Sequence, residues 1–259
     1  MANGLPGGTR WVEVAPARLA AWLESFAKRH GGLAQPPEPG PSDGRPAESA
    51  AAVVTFRAAD GAVAQCHVPF PPLAPAGPAA PAGGGPGPEP AASAARMAAH
   101  ATADRTVGVL LVRLGGYAAG VFTGPDQHLA ASKVGSRLVH GRSAAGGQSQ
   151  RRFARRREKQ ASEALGAAAV LGPFGGRLDA VVLGGDRRAM ATLERDPRLR
   201  EFFDLAVDRF LTVPDPRLAV LKGTPRMYRA IRVRLAEPEP PASPTGRAGP
   251  AAPEPGDGG

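Results

Sequence analysis

Residues 69–92, PFPPLAPAGPAAPAGGGPGPEPAA, cannot build a packed core, and they divide what the rest of the chain can fold into. Proline removes backbone donors and glycine raises the entropy lost on ordering, so the stretch reads as a spacer. Its GGGPG follows no strand and precedes no Lys-Ser/Thr pair, which argues against a phosphate loop. The segment from Glu237 to Gly259 has the same composition and reads as a disordered tail. The 34 Gly and 29 Pro of this 259-residue chain gather in such stretches, so a core is not expected over the whole length. The division that follows is a small N-terminal α+β module over 1–70, a Pro/Gly/Ala-rich linker over 71–103, a larger domain over 104–236 and a tail over 237–259.

In the first module Leu19, Trp22, Leu23 and Phe26 fall at i, i+3, i+4 and i+7, one apolar stripe of an amphipathic helix. Such a stripe is core more often than interface. Pro16 suits the first turn, and Gly31-Gly32 ends the helix. Two strand-like runs, 52–57 and 62–68, flank Asp60-Gly61, a dipeptide that tolerates the positive φ of a tight hairpin.

The larger domain opens with three expected strands, 106–114, 117–122 and 128–134, joined by turns at Gly115-Gly116 and Gly124-Pro125-Asp126. A loop over 135–149 leads to a helix over about 150–169, and the apolar run 178–185 supplies a buried strand of the same sheet. Asp196-Pro197 is expected to start a helix carrying Leu199, Phe202, Phe203, Ala206 and Phe210, and a strand at 228–235 to close the domain. Antiparallel strands followed by alternating helix and strand describe an α/β fold with a mixed sheet.

The net charge of +9 and sequence pI near 10.8 call for a polyanionic partner, nucleic acid or an anionic membrane surface. Residues 133–159 hold nine Lys or Arg against one acid, Glu158, and leave the rest of the chain close to neutral. On a helical wheel Phe153, Ala154, Ala161, Ala164, Leu165 and Ala168 share one arc of about 120°. Arg151, Arg152, Arg155, Arg156 and Lys159 take the other side, while Arg157 falls within the apolar arc and must snorkel or find a partner. Lys133, Arg137 and Arg142 extend the cationic run toward the N-terminus. An ordinary solvated helix would interleave acids for i,i+4 pairs. An unbroken cationic face is instead suited to phosphate backbones.

Other chemistries find little footing. Cys66 is the single cysteine, and its neighbour His67 would point to the opposite face of a strand, so neither a disulfide nor a cysteine metal site is expected. The five histidines lack metal-ligand spacing, and no serine sits in a nucleophile elbow. No apolar run approaches the roughly 20 residues of a membrane span. The N-terminal sequence has no secretory signal pattern, and a soluble cytoplasmic protein is the expectation.

Gly146-Gly147-Gln148 is a weak signal by itself. Its setting is stronger, because Ser149 can cap the basic helix that follows. GGQSQRRFARRREK resembles the GGQSxxRFARxR signature in the central domain of eukaryotic and archaeal class I peptide-release factors. His140-Gly141-Arg142 is similar to the HGR that precedes their GGQ, with Ser143, Ala144 and Ala145 as an insertion. The likeness extends loosely over 104–236 and implies an RNase H-like domain. No counterpart of the stop-codon-reading domain is evident, which makes the chain similar to the VLRF group, the Vms-like release factors of ribosome-associated quality control.

That resemblance implies a codon-independent hydrolase of the peptidyl-tRNA ester, acting on stalled ribosomes or large subunits. Its partners would be ribosomal RNA and the tRNA acceptor end, with no cofactor, no metal and no membrane, and a monomeric state. Gly146, Gly147 and Gln148 would be the catalytic loop. Arg142, Arg151, Arg152, Arg155, Arg156, Lys159, Lys133 and Arg137 would contact RNA. Two alternatives stay open. A tRNA acceptor-end nuclease would need clustered carboxylates, drawn from Asp104, Asp126, Asp179 and Asp186. A non-catalytic ribosome- or tRNA-binding protein would need only the basic helix.

Overall fold

The computed structural model describes residues 9–34, 38–39, 53–73, 90–113, 116–136 and 162–238. The described elements form two five-stranded sheets with helices packed against them.

The first sheet is antiparallel throughout, in the order β1 (Thr9–Val14), β10 (Ile231–Ala236), β4 (Val63–His67), β3 (Val53–Arg57), β2 (Glu38–Pro39). Alternation along these strands puts Val12, Val14, Val54, Phe56, Ala64, Cys66, Ile231, Val233 and Leu235 on one face. Helix α1 (Leu19–Arg29) covers that face with Leu19, Leu23 and Phe26, all buried, as the stripe requires. Trp22 stacks on Phe26 with ring centroids 5.8 Å apart and is half-buried at the margin of this core. At the β3–β4 turn Gly61 has φ +92°, and the Asp60 carboxylate accepts the Ala62 N–H at 3.0 Å. The hairpin forms where Asp60-Gly61 indicates.

Helix α2 (Pro90–Thr102) lies within the stretch read as linker. Alanine explains it: PAASAARMAAHAT begins with a proline at a position where no N–H is needed, then runs through the best helix former. Small buried residues, Ser93, Ala94 and Ala101 with Met97, let it pack closely beside α1. Residues 74–89 lie outside the described set.

The second sheet has the order β7 (His128–Ser136), β6 (Gly116–Thr123), β5 (Val107–Arg113), β8 (Ala180–Gly185), β9 (Ala206–Leu211). The β5–β6 and β6–β7 pairs are antiparallel, whereas β8 and β9 continue parallel to β5. Three antiparallel strands extended by two parallel ones is the RNase H-like arrangement, a mixed α/β fold. Both faces are covered, which is why β5 reads as a nearly continuous apolar run. Leu110, Val112, Tyr117, Ala119, Val121 and Val181 meet a helix over 162–171, α4 (Arg187–Leu193) and α5 (Arg200–Asp204) on one side. We number the 162–171 helix α3. Val107, Val109, Leu111, Phe122 and Val182 meet α6 (Leu218–Arg229) through Leu221 and Tyr228 on the other.

Two expectations are corrected. The expected helix after Asp196-Pro197 shortens to a 3-10 turn (Pro197–Leu199) and α5, after which Ala206–Leu211 is a strand. Leu199 and Phe202 face the core as helical spacing requires, but AVDRFL reaches the sheet edge and pairs with β8. Tertiary pairing overrides the 3.6-residue pattern there. The strand read at 228–235 as closing the second sheet is Ile231–Ala236, and it runs between β1 and β4 of the first. Its alternation of Ile231, Val233 and Leu235 fits any half-buried sheet, so the pattern carries no information about which sheet it joins. Arg209 of β9 ties the two sheets together. It donates to the carbonyls of Ala230 and Tyr228 and pairs with Glu13 of β1 at 2.9 Å.

Candidate functional site

Gly146, Gly147 and Gln148, with Arg137, Arg142, Arg151, Arg152, Arg155, Arg156 and Lys159, lie outside the described residues, as do His140, Ser149 and Arg157. Lys133 is described: it is exposed on β7, the edge strand, opposite Ala119 of β6. What the structure defines is the base from which this segment departs. Strand β7 leads into 137–161, and α3 leads out of it.

Both flanks close on one side chain, Tyr117 of β6. A Cβ built on Gly135 of β7 would stand 2.2 Å from the Tyr117 ring, and one on Gly166 of α3 would stand 1.8 Å from its hydroxyl oxygen. No side chain fits at either position, so strand and helix approach the tyrosine as bare backbone. Tyr117 is buried, and burial raises its pKa above the ordinary phenol value, with the negative charge of nearby Glu163 adding to the effect. The neutral ring therefore acts as a wedge between the two flanks.

The segment leaves from one row across the sheet edge, where Ser136 pairs with Gly116, Gly116 with Arg113, and Val112 with Gly185. This row marks the C-terminal ends of the parallel strands β5 and β8, the end at which open α/β sheets present ligands. Gly185 has φ +102°, and a Cβ there would lie 2.1 Å from the Val112 carbonyl oxygen, so only glycine serves at this crossing. Asp186 caps α4 by accepting the Ala189 N–H at 2.9 Å, as its place after a strand indicates.

Arg113, Arg187 and Arg188 are exposed at the same end. Arg113 donates to the Val213 carbonyl at 2.8 Å, and the Arg187 guanidinium lies 4.3 Å from the centroid of the Phe210 ring. These three form a cationic rim at this end of the sheet, drawn from outside the sequence run at 133–159. Sequence reading missed them because they are scattered along the chain. The usable signal was their place at or just past the ends of β5 and β8.

The aspartates that a nuclease would draw on are divided between the two ends of the sheet. Asp104, Asp126 and Asp179 sit where β5 and β8 begin and β6 ends, and the Asp179 carboxylate accepts the Thr106 N–H at 2.7 Å. Asp186 sits at the opposite end, a strand length of roughly 20 Å away. Among the described residues no three His, Cys, Asp or Glu side chains gather as a metal site. No described helix is long and apolar enough to cross a membrane.

The sheet order and the two covered faces define an RNase H-like α/β protein. Residues 105–234 match the family described as Actinobacteria/chloroflexi VLRF1 release factor, and the chain belongs to that family. Among solved structures, the chain is similar to an archaeal translation termination factor, aRF1, at 16% identity and TM-score 0.33, over 67% of this chain and 51% of that one. It thus spans about half the length of that factor. A second similar structure, described as an archaeal protein, has 13% identity and TM-score 0.35, covering 85% of this chain and 67% of the other. No curated protein matches.

Proposed function

We propose that this release-factor relative hydrolyses the ester of peptidyl-tRNA without reading a codon, on stalled ribosomes or free large subunits. The observation that carries the reading is the clamped base of segment 137–161. The chain's GGQSQRRFARRREK falls between two flanks fixed on Tyr117, at the ligand-presenting end of an RNase H-like sheet. Family membership supplies the release-factor character, and the cationic rim supplies the affinity for RNA.

In this mechanism Gly146 and Gly147 let the backbone approach RNA closely. The Gln148 N–H donates to the oxyanion that forms as water attacks the ester carbonyl, an interaction worth roughly 3 kcal/mol. The Gln148 amide orients and limits water. Glutamine is no base at neutral pH, so the proton passes to the tRNA ribose, ribosomal RNA or solvent. Arg142, Arg151, Arg152, Arg155, Arg156, Lys159, Lys133 and Arg137 hold phosphates. The setting is cytoplasmic and the acting species a monomer.

Product identity tests the proposal. Incubated with large subunits carrying defined peptidyl-tRNA, the protein is expected to yield intact tRNA and free peptide. Shortened tRNA would instead identify a nuclease, and unchanged substrate a binding protein.

A further inference from the structure

Helix α6 carries a second concentration of positive charge, on the side of the second sheet opposite α3. Residues 217–236 hold six Lys or Arg and no acid. At about 100° per residue Leu218, Ala219, Lys222, Gly223 and Arg226 share one arc of roughly 140°, and all five are exposed. Leu221, Thr224 and Tyr228 take the other side and are buried against the sheet. Arg217 is exposed at the N-cap. Among the described residues Arg217, Lys222 and Arg226 make no ion pair, whereas Arg229 is engaged, donating to the Pro125 carbonyl at 2.7 Å. The stability of the helix does not account for the stripe. A cation in the last turn complements the helix dipole, which suits Arg226, but a cation at the N-terminus opposes it, and Arg217 stands there. A solvated helix gains from acids placed i,i+4 to its cations, and α6 has none. The stripe also begins at the sheet end that carries the rim of Arg113, Arg187 and Arg188. Arg113 donates to the Val213 carbonyl, in the turn that leads into α6.

We propose that the exposed face of α6 docks on duplex RNA, with Arg217, Lys222 and Arg226 against the phosphates of one strand. A rise of about 1.5 Å per residue spreads these cations over roughly 14 Å, a line suited to a backbone rather than a pocket for one anion. Ala219 and Gly223 lie beside them, and a Cβ on Gly223 would meet nothing within 4 Å, so no bulk holds the RNA away. Unpaired RNA takes an aromatic ring to stack on, and Tyr228, the aromatic residue of α6, is buried. A helix lying on a membrane inserts a row of large apolar side chains, whereas Leu218 stands alone on this arc. An acidic protein would want an apolar or aromatic anchor at the centre of the contact, which the arc equally lacks. Phosphate contact with a double helix needs neither. The inference rests on the ribosomal reading above for the source of the duplex, a helix of ribosomal RNA. It adds a contact separate from the segment at 137–161.

The test uses the full chain with Arg151, Arg152, Arg155 and Arg156 changed to Ala, so that the basic run does not dominate binding. A fluorescein-labelled RNA duplex is titrated by anisotropy over a series of salt concentrations. Adding Lys222→Gln and Arg226→Gln, where glutamine keeps helix propensity, is expected to weaken binding about tenfold and to lower the salt slope by about 2. Removing the same charge from exposed positions of α1, with Lys28→Gln and Arg29→Gln, is expected to leave the slope in place. An unchanged slope in the α6 variant, an equal loss in the α1 variant, or equal affinity for the unpaired strand overturns the proposal. So does competition by phosphatidylserine vesicles or poly-glutamate as effective as that of the duplex, which would assign the stripe to a lipid surface or an acidic protein. Duplex binding that depends on α6 without release of peptide sinks the hydrolase reading alone. Peptide release with duplex binding indifferent to α6 sinks this inference alone.

Discussion

Adding one methyl group at Gly166 tests whether Tyr117 holds the two flanks of segment 137–161 together. The added Cβ would meet the tyrosine oxygen at 1.8 Å and Cζ at 2.4 Å, so the hydroxyl would have to retreat by more than about 1 Å to reach any contact found in real proteins. Retreat toward β7 is blocked, because Tyr117 already lies where a Gly135 Cβ would be. Helix propensity alone favours Ala over Gly by about 1 kcal/mol, and overpacking typically costs 1–3 kcal/mol. A clash this close belongs at the upper end of that range, so Gly166→Ala is expected to be destabilising by a net of about 1–2 kcal/mol, a fall of roughly 2–4 °C in Tm per kcal/mol for a domain of this size. Pairing it with Tyr117→Leu should recover much of the loss, a non-additivity of at least about 0.5 kcal/mol. Thermal melts of the four proteins supply the cycle. If Gly166→Ala proves more stable than the parent, as propensity alone would have it, the wedge does not exist.

Three further expectations follow from individual side chains. The Tyr228 hydroxyl donates to the Gln127 side-chain oxygen at 2.6 Å within the core, so Tyr228→Phe should cost about 1–3 kcal/mol in urea unfolding, and a neutral result would contradict the buried bond. Cys66 is fully buried and its thiol pKa is pushed well up, so thiol reagents at pH 8 should label it only as fast as the protein unfolds; rapid labelling of the native state would place it at the surface. The Asp60 pKa is lowered below its ordinary 3.8, first by the Ala62 N–H and then by His30. A depressed carboxylate contributes stability above its unfolded pKa and loses it as pH falls through the folded value, so Asp60→Asn should flatten the acid limb of a stability profile below about pH 4. An unchanged limb would remove Asp60 from the account.

Local chemistry was the legible part of this fold. The stripe of α1, the Asp60-Gly61 hairpin and the apolar strands β5 and β8 each carry their own period or turn signal, and each forms as read. Pairing between distant segments was not legible. Ile231–Ala236 alternates like any half-buried strand, and nothing in IRVRLA says that it lies beside Thr9–Val14. Ala206–Leu211 was misread because Phe202, Phe203, Ala206 and Phe210 satisfy a helical period by accident, while its place at a sheet edge depends on β8. At the site, the basic run was plain because it is contiguous, whereas Arg113, Arg187 and Arg188 come to one end of the sheet only through the pairing of β5 with β8. Tyr117 gave no sequence signal at all, since its importance lies in two glycines, Gly135 and Gly166, that are remote from it in the chain.

In the proposed mechanism backbone geometry at the diglycine, rather than a side-chain base, drives release. Single-turnover release from large-subunit peptidyl-tRNA complexes measures this directly. A β-branched residue at Gly147 should abolish release, while Gln148→Ala should keep part of it and admit nucleophiles other than water. Full activity in Gly147→Val would contradict the account.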